Sequence, residues 1–140
     1  MGSTRTVLVV EDDADIRDDV AFALRRRGYK VVVAADGDAA DALLGHGPPD
    51  LLVTDMMLPG RSGFQLARRV KELSDGRVPV VMVSGNGSPA HQDYALVAGI
   101  DAFLPKPFTL EALVCLVAEL CPLPRPGSGS RPAAHATVRA

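Results

Sequence analysis

Several polar side chains stand out because each closes an apolar run. Glu11 and Asp12 follow Thr6-Val7-Leu8-Val9-Val10, and Asp55 follows Leu51-Leu52-Val53-Thr54. Ser84 follows Pro79-Val80-Val81-Met82-Val83, and Lys106 comes just after the stretch Asp101–Leu104. Taken singly, each has a plain reading: a turn aspartate, a capping serine, acidic charge at a helix start, a solvated lysine. Taken together they describe chemistry. Three carboxylates in one place cannot all stay ionised and unpaired, so one is protonated or a cation is shared. An acidic, all-oxygen, open-sided donor set suits magnesium, which keeps several waters and grips phosphate oxygens. Ser84 offers a hydroxyl and Lys106 an ammonium, both suited to the oxygens of a transferring phosphoryl group. Gly85 beside Ser84 leaves the approach open. With Asp55 as nucleophile, the set is that of an acceptor forming an aspartyl phosphate.

Such convergence requires elements that bring four loops to one rim. The β-branched run Thr6–Val10 reads as a strand buried on both faces, as parallel sheets require, the run Asp50–Asp55 reads as a buried central strand, and Lys30–Ala34, Pro79–Val83 and Asp101–Leu104 read as further strands. Helical spacing follows each. Ile16, Val20, Ala23 and Leu24 follow a cap at Asp13, and Arg25-Arg26-Arg27-Gly28 closes that helix. Asp36-Gly37-Asp38 opens a second helix ending near Leu44. Ser62 and Gln65 form a capping box for a third, with Leu66, Val70 and Leu73 inward. Ser88-Pro89 starts a short, weakly amphipathic fourth, to about Ala98. Thr109 caps a fifth, with Leu110, Leu113, Val114, Val117 and Leu120 inward. Five strand–helix alternations predict a doubly wound α/β fold with right-handed crossovers, whose ligand crevice lies beyond the carboxyl ends of the strands. Strand 2 ends without a comparable polar group, which suits an edge position. From Pro122 to Ala140 the chain is rich in Pro, Gly, Ser, Arg and Ala and reads as a flexible tail.

A length of 140 residues suits one domain with a core that needs no disulfide or metal staple. Aromatic residues are 4% with no Trp, so stacking platforms for sugars or bases are not expected. A net charge of -2 gives no general attraction to nucleic acid or anionic membrane, and neither is an expected partner. Cys115 and Cys121 lack zinc-site spacing and read as reduced thiols. No apolar run is long enough to span a bilayer and no leader pattern precedes the first strand, so a cytoplasmic location is expected.

Four motifs in order, Val9-Val10-Glu11-Asp12-Asp13, Asp55 with Pro59-Gly60 and Gly63, Ser84 with a small neighbour, and Phe103-Leu104-Pro105-Lys106-Pro107-Phe108, make residues 5 to 121 resemble the receiver domain of bacterial two-component response regulators. The resemblance, and not the residues themselves, supplies the flavodoxin-like (βα)5 fold with strand order 2-1-3-4-5, for which a chemotaxis receiver is the familiar example. It implies a receiver over residues 1–121 and a tail over 122–140. It further implies that Asp55 takes a phosphoryl group from a sensor histidine kinase or a histidine phosphotransfer protein. Mg2+ would be held by Asp12, Asp55 and the backbone carbonyl of Met57, with Glu11 assisting through water. Lys106 would contact the phosphoryl group and pair with Asp55 beforehand, Ser84 would swing in to bind it, and Phe103 would turn inward as the switch aromatic. The Lys106–Pro107 bond would be cis. A downstream protein partner would read the face made by the fourth helix, fifth strand and fifth helix (α4-β5-α5) of a monomer or weak homodimer.

Two other readings compete. A pseudo-receiver would use the same fold as a binding module without phosphorylation. A magnesium phosphohydrolase with an aspartate nucleophile usually has a second aspartate two residues on, where this chain has Met57. The chain is therefore expected to be a phosphoacceptor regulator and not an enzyme with independent turnover. With no effector domain in the 140 residues, a stand-alone regulator is favoured over a receiver from a larger protein.

Overall fold

The computed structural model describes residues 4–85 and 99–124. Its elements are β1 (Thr6–Val10), α1 (Ala14–Arg26), β2 (Lys30–Ala34), α2 (Gly37–Leu44), β3 (Leu51–Asp55), α3 (Gly63–Ser74), β4 (Val80–Ser84), β5 (Ala102–Pro105) and a C-terminal helix (Leu110–Leu120). The strands form one parallel sheet in the order β2-β1-β3-β4-β5. This is the expected doubly wound order, with β2 at an edge. Strands β3 and β4 are buried along their whole length, whereas in β2 only Val31 and Ala34 are buried.

Continuous apolar strands bury both faces because successive side chains point to opposite sides. Val7, Val9, Leu51, Val53, Val81 and Val83 pack on one face with α1 and the C-terminal helix. Leu8, Val10, Leu52, Val80 and Met82 pack on the other with α2 and α3. Each such side chain contributes about 1.5–3 kcal/mol relative to exposure, so the two layers fix where the strand ends fall.

The helix starts follow their caps. Asp13, Asp36, Ser62 and Thr109 each accept a backbone N–H three residues on, and Gln65 completes the capping box with Ser62. Of the three arginines that close α1, Arg25 binds the Val31 carbonyl at 2.9 Å, and Arg26 lies over the Phe22 ring.

Two inward positions were misplaced by periodicity. Leu73 is 41% exposed and Leu110 38% exposed, the one in the last turn of α3 and the other the first residue of the C-terminal helix. At the end of α3 the inward group is Ser74, whose hydroxyl donates to the Val70 carbonyl and accepts the Val78 N–H. Strand ends also move. β4 runs on to Ser84, while Asp101 precedes β5 and binds Lys71. The predicted helix to about Ala98, its cap at Ser88-Pro89, and the tail from residue 125 lie outside the described residues.

Candidate functional site

β3 ends at Asp55, which is 7% exposed. Neighbouring β1 ends one residue before Glu11, which is 5% exposed and whose N–H is held by the Ala34 carbonyl at the end of β2. β5 brings Lys106 to the same rim: its N–H donates to the Ser84 carbonyl at 2.7 Å, and its peptide bond to Pro107 is cis. The parallel register thus places polar residues from four strand ends side by side.

Lys106 joins the two buried carboxylates. Its Nζ lies 2.7 Å from Asp55 Oδ2 and 3.1 Å from Glu11 Oε1. The remaining oxygens are also met: Met57 N–H donates to Asp55 Oδ1 at 3.2 Å, and Asp13 N–H to Glu11 Oε2 at 3.0 Å. Asp12, exposed, completes a carboxylate group in which one oxygen each from Glu11, Asp12 and Asp55 lies within 4.8 Å of the others. Burial pushes the Glu11 carboxyl above its ordinary range, aided by the Asp55 charge; the Asp13 N–H and Lys106 pull it back only in part. For Lys106, burial favours the neutral amine, but hydrogen bonds to Asp55 and Glu11 outweigh it and raise its pKa. The shifts of the two partners look contradictory, since pairing should lower Glu11. Glu11 nevertheless stays raised because its burial outweighs the ammonium that it shares with Asp55.

Of the expected residues, Glu11, Asp12, Asp55 and Lys106 lie together, the Met57 N–H reaches Asp55, and Ser84 adjoins them through its carbonyl, which accepts the Lys106 N–H. Ser84 is buried at the end of β4, directly before the exposed Gly85. Phe103 does not join the mouth. It is half-buried on β5, paired in register with Met82, and packs on the α2–α3 side of the sheet. Two contributions went unseen in the sequence, the Met57 and Asp13 amides that fix the carboxylates. Backbone donors leave no signature in residue type.

Residues 7–118 match the family described as the response regulator receiver domain. The chain belongs to that family. Among curated receivers, it is 40% identical over 114 residues to the phosphate regulon transcriptional regulatory protein PhoB of Escherichia coli, covering 81% of this chain and 50% of that one. With PhoB of Pseudomonas aeruginosa it shares 35% identity over 130 residues, covering 91% and 56% respectively. The chemotaxis response regulator CheY4 of Vibrio cholerae superposes with a TM-score of 0.77 at 29% identity, covering 84% of this receiver and 99% of CheY4. The receiver spans about half the length of the curated relatives it matches. Because those relatives are named as transcriptional regulators, the expectation of no nucleic-acid partner finds no support in them. Among the described residues no helix is long and apolar enough to cross a membrane.

Proposed function

We propose that this receiver is a phosphoacceptor switch in which Asp55 takes a phosphoryl group from a phosphohistidine of a sensor histidine kinase or histidine phosphotransfer protein. The observation that carries the reading is the Lys106 ammonium bridging Asp55 and Glu11 at the carboxyl ends of the strands. An Asp55 oxygen would form the new P–O bond while the P–N bond breaks and the imidazole leaves with the electron pair. Lys106, already 2.7 Å from Asp55, would neutralise the phosphoryl oxygens as they arrive. Ser84 would hold another of those oxygens. The Met57 N–H keeps Asp55 oriented. A cavity of about 490 Å3 lined by Ile16, Asp19, Phe108 and Leu110 reaches Lys106, and its apolar wall suits a docking donor.

The all-oxygen group Glu11, Asp12 and Asp55 fits Mg2+ in donor type and closeness, and with one ammonium present it still carries excess negative charge. Asp12, Asp55 and the Met57 carbonyl would hold the ion, with Glu11 assisting through water. Mg2+ would supply charge neutralisation for the incoming phosphoryl oxygens.

The output is a population shift. A phosphoryl group adds about -1.5 to -2 charge, and only contacts that differ between the two states can move the balance. Lys106 and Ser84 would make such contacts, and an inward turn of Phe103 would carry the change to the α4-β5-α5 face and its protein partner. Residues 1–121 form the receiver in this reading, 122–140 the tail, and the cytoplasm is its location, as a monomer or weak homodimer. The exposed Met57 side chain cannot orient a water, so self-dephosphorylation should be slow. A phosphoryl half-life of seconds in the purified protein would contradict that. Asn86, two residues after Ser84, stands at a second position where receivers vary and where a side chain would influence water attack, and it lies outside the described residues.

Mass spectrometry after incubation with phosphorylated kinases, or with a small acyl phosphate and Mg2+, tests the function. One added phosphoryl group, absent in Asp55→Asn, is expected. No incorporation from any donor would leave a pseudo-receiver.

A further inference from the structure

The loop that follows Asp55 is held at two places, and the second is not at the site. At its base the Met56 N–H donates to the Val83 carbonyl at 2.8 Å and the Met56 carbonyl accepts the Gly63 N–H at 3.0 Å. Any side chain at Gly63 would collide with the Asp55 carbonyl. At its tip the Pro59 carbonyl accepts the Gly37 N–H at 3.0 Å. A Cβ on Gly37 would collide with the backbone oxygen of Arg61 and stand 2.5 Å from its backbone nitrogen. Gly60 takes the left-handed conformation (φ 84°) against Asp38, which lets the tip lie this close. Between base and tip only Met57 and Leu58 remain.

We propose that Gly37 is a positioning residue for the metal site: by letting the 59–61 backbone rest directly on the start of α2, it sets where Met57 lies relative to Asp55. This rests on the reading that Met57 lends its carbonyl to the metal. Helix α2 cannot retreat to make room, because Ala40 and Leu44 are buried in the core. The loop must give instead, and with it the Met57 amide that holds Asp55 Oδ1. Arg61 also pairs with Asp38 and Asp41, each at 3.5 Å. Those pairs involve groups that are 45% and 74% exposed in the first case, so screening leaves them a minor share. The steric fit at Gly37 is the larger lever.

The test is a Mg2+ titration of the intact chain, read by amide NMR shifts and by the melting temperature, without any phosphoryl donor. Gly37→Ala should weaken Mg2+ binding about 10-fold, the usual scale for disturbing a group that orients a ligand. The Met57 and Leu58 amides should shift even without the ion. With a small acyl phosphate, the half-saturating Mg2+ should rise while the rate at saturating Mg2+ recovers. Ala42→Gly, at an exposed position within α2, is the control: it lowers helix stability and should leave Mg2+ affinity unchanged. Equal weakening in both variants would reduce Gly37 to general stability and overturn the proposal, as would unchanged affinity in Gly37→Ala. Should Gly37→Ala not fold, Gly60→Ala, which strains the same tip at its positive φ, decides: weaker Mg2+ affinity with a shifted Met57 amide is expected, and unchanged affinity with an unmoved amide refutes it. Absence of Mg2+ binding in the unmodified chain would instead sink the metal site itself.

Discussion

Two Lys–Asp pairs of nearly equal length sit at opposite ends of the sheet. At the amino end, Lys71 Nζ lies 2.8 Å from Asp101 Oδ2; at the carboxyl end, Lys106 Nζ lies 2.7 Å from Asp55 Oδ2. Their surroundings differ. Lys71 also donates to the Val78 carbonyl and Asp101 also accepts the Val80 N–H, both at 2.8 Å. That pair balances one charge with one charge and spends its spare capacity on the backbone, which pins α3 to the starts of β4 and β5. Lys106 pairs with two carboxylates, buried Glu11 and Asp55, and the exposed Asp12 lies beside them, so one ammonium is set against more acid than it can balance. Closeness of a pair says little about its purpose; the unbalanced remainder distinguishes a site from a staple.

The largest effect should separate the two aspartates completely. Asp55→Asn keeps the size and polarity but removes the nucleophile, and phosphoryl incorporation should vanish while the melting temperature changes little. Asp101→Asn should keep incorporation and lose stability, about 1–3 kcal/mol for a disturbed charged hydrogen-bond pair. Urea denaturation together with phosphoryl counting checks both. Incorporation surviving in Asp55→Asn, or disappearing in a folded Asp101→Asn, would break the distinction.

The lysines come next. Lys106→Met leaves Glu11 and Asp55 facing each other without a cation. Partial exposure of Lys106 limits the loss to about 1–3 kcal/mol, below that of a fully buried pair. Millimolar Mg2+ should restore much of it, since a divalent ion answers the same charge. Lys71→Met should lose a similar amount and gain no more from Mg2+ than the parent chain. Equal rescue of both variants would mean the acidic mouth is not where the ion acts.

Much of this was legible in the residues, and the rest was not for identifiable reasons. The limits of β1 fell where its apolar run ends, because a strand buried on both faces leaves no room for polar residues, and β2 kept its expected limits although it lies at the edge with Lys30 and Val33 exposed. The mouth was legible for the same reason: in such a chain, a charge at a strand end stands out. Strand order was not legible, since five apolar runs pair in many ways, and it came from family resemblance. Leu73 and Leu110 were placed inward because periodicity records a helix face but not how much of a terminal turn the core covers. Asp101 was read as part of a strand; its partner Lys71 is 30 residues away, and nothing local announces the pair. Gly37 read only as a helix opener, although its contact with Arg61 joins two loops.

The smallest effect concerns Glu11 and tests the charge imbalance most directly. Burial raises its pKa in the folded chain, so the fold holds that proton more tightly than the unfolded chain does. Stability from this group is therefore complete below the ordinary carboxylate value of about 4.3 and declines as pH rises through the higher folded value, after which a constant deficit remains. Glu11→Gln removes the ionisation. Without Mg2+ the variant should melt slightly above the parent at pH 7, by less than either lysine change costs, and the difference should disappear below pH about 4. With Mg2+ the order should reverse, because the parent keeps the carboxylate that helps to hold the ion. Melting curves at two pH values, each with and without Mg2+, decide the matter. A Glu11→Gln chain less stable than the parent in Mg2+-free buffer at pH 7 would mean that pairing with Lys106 outweighs burial, and that the mouth is a staple like its counterpart at the other end of the sheet.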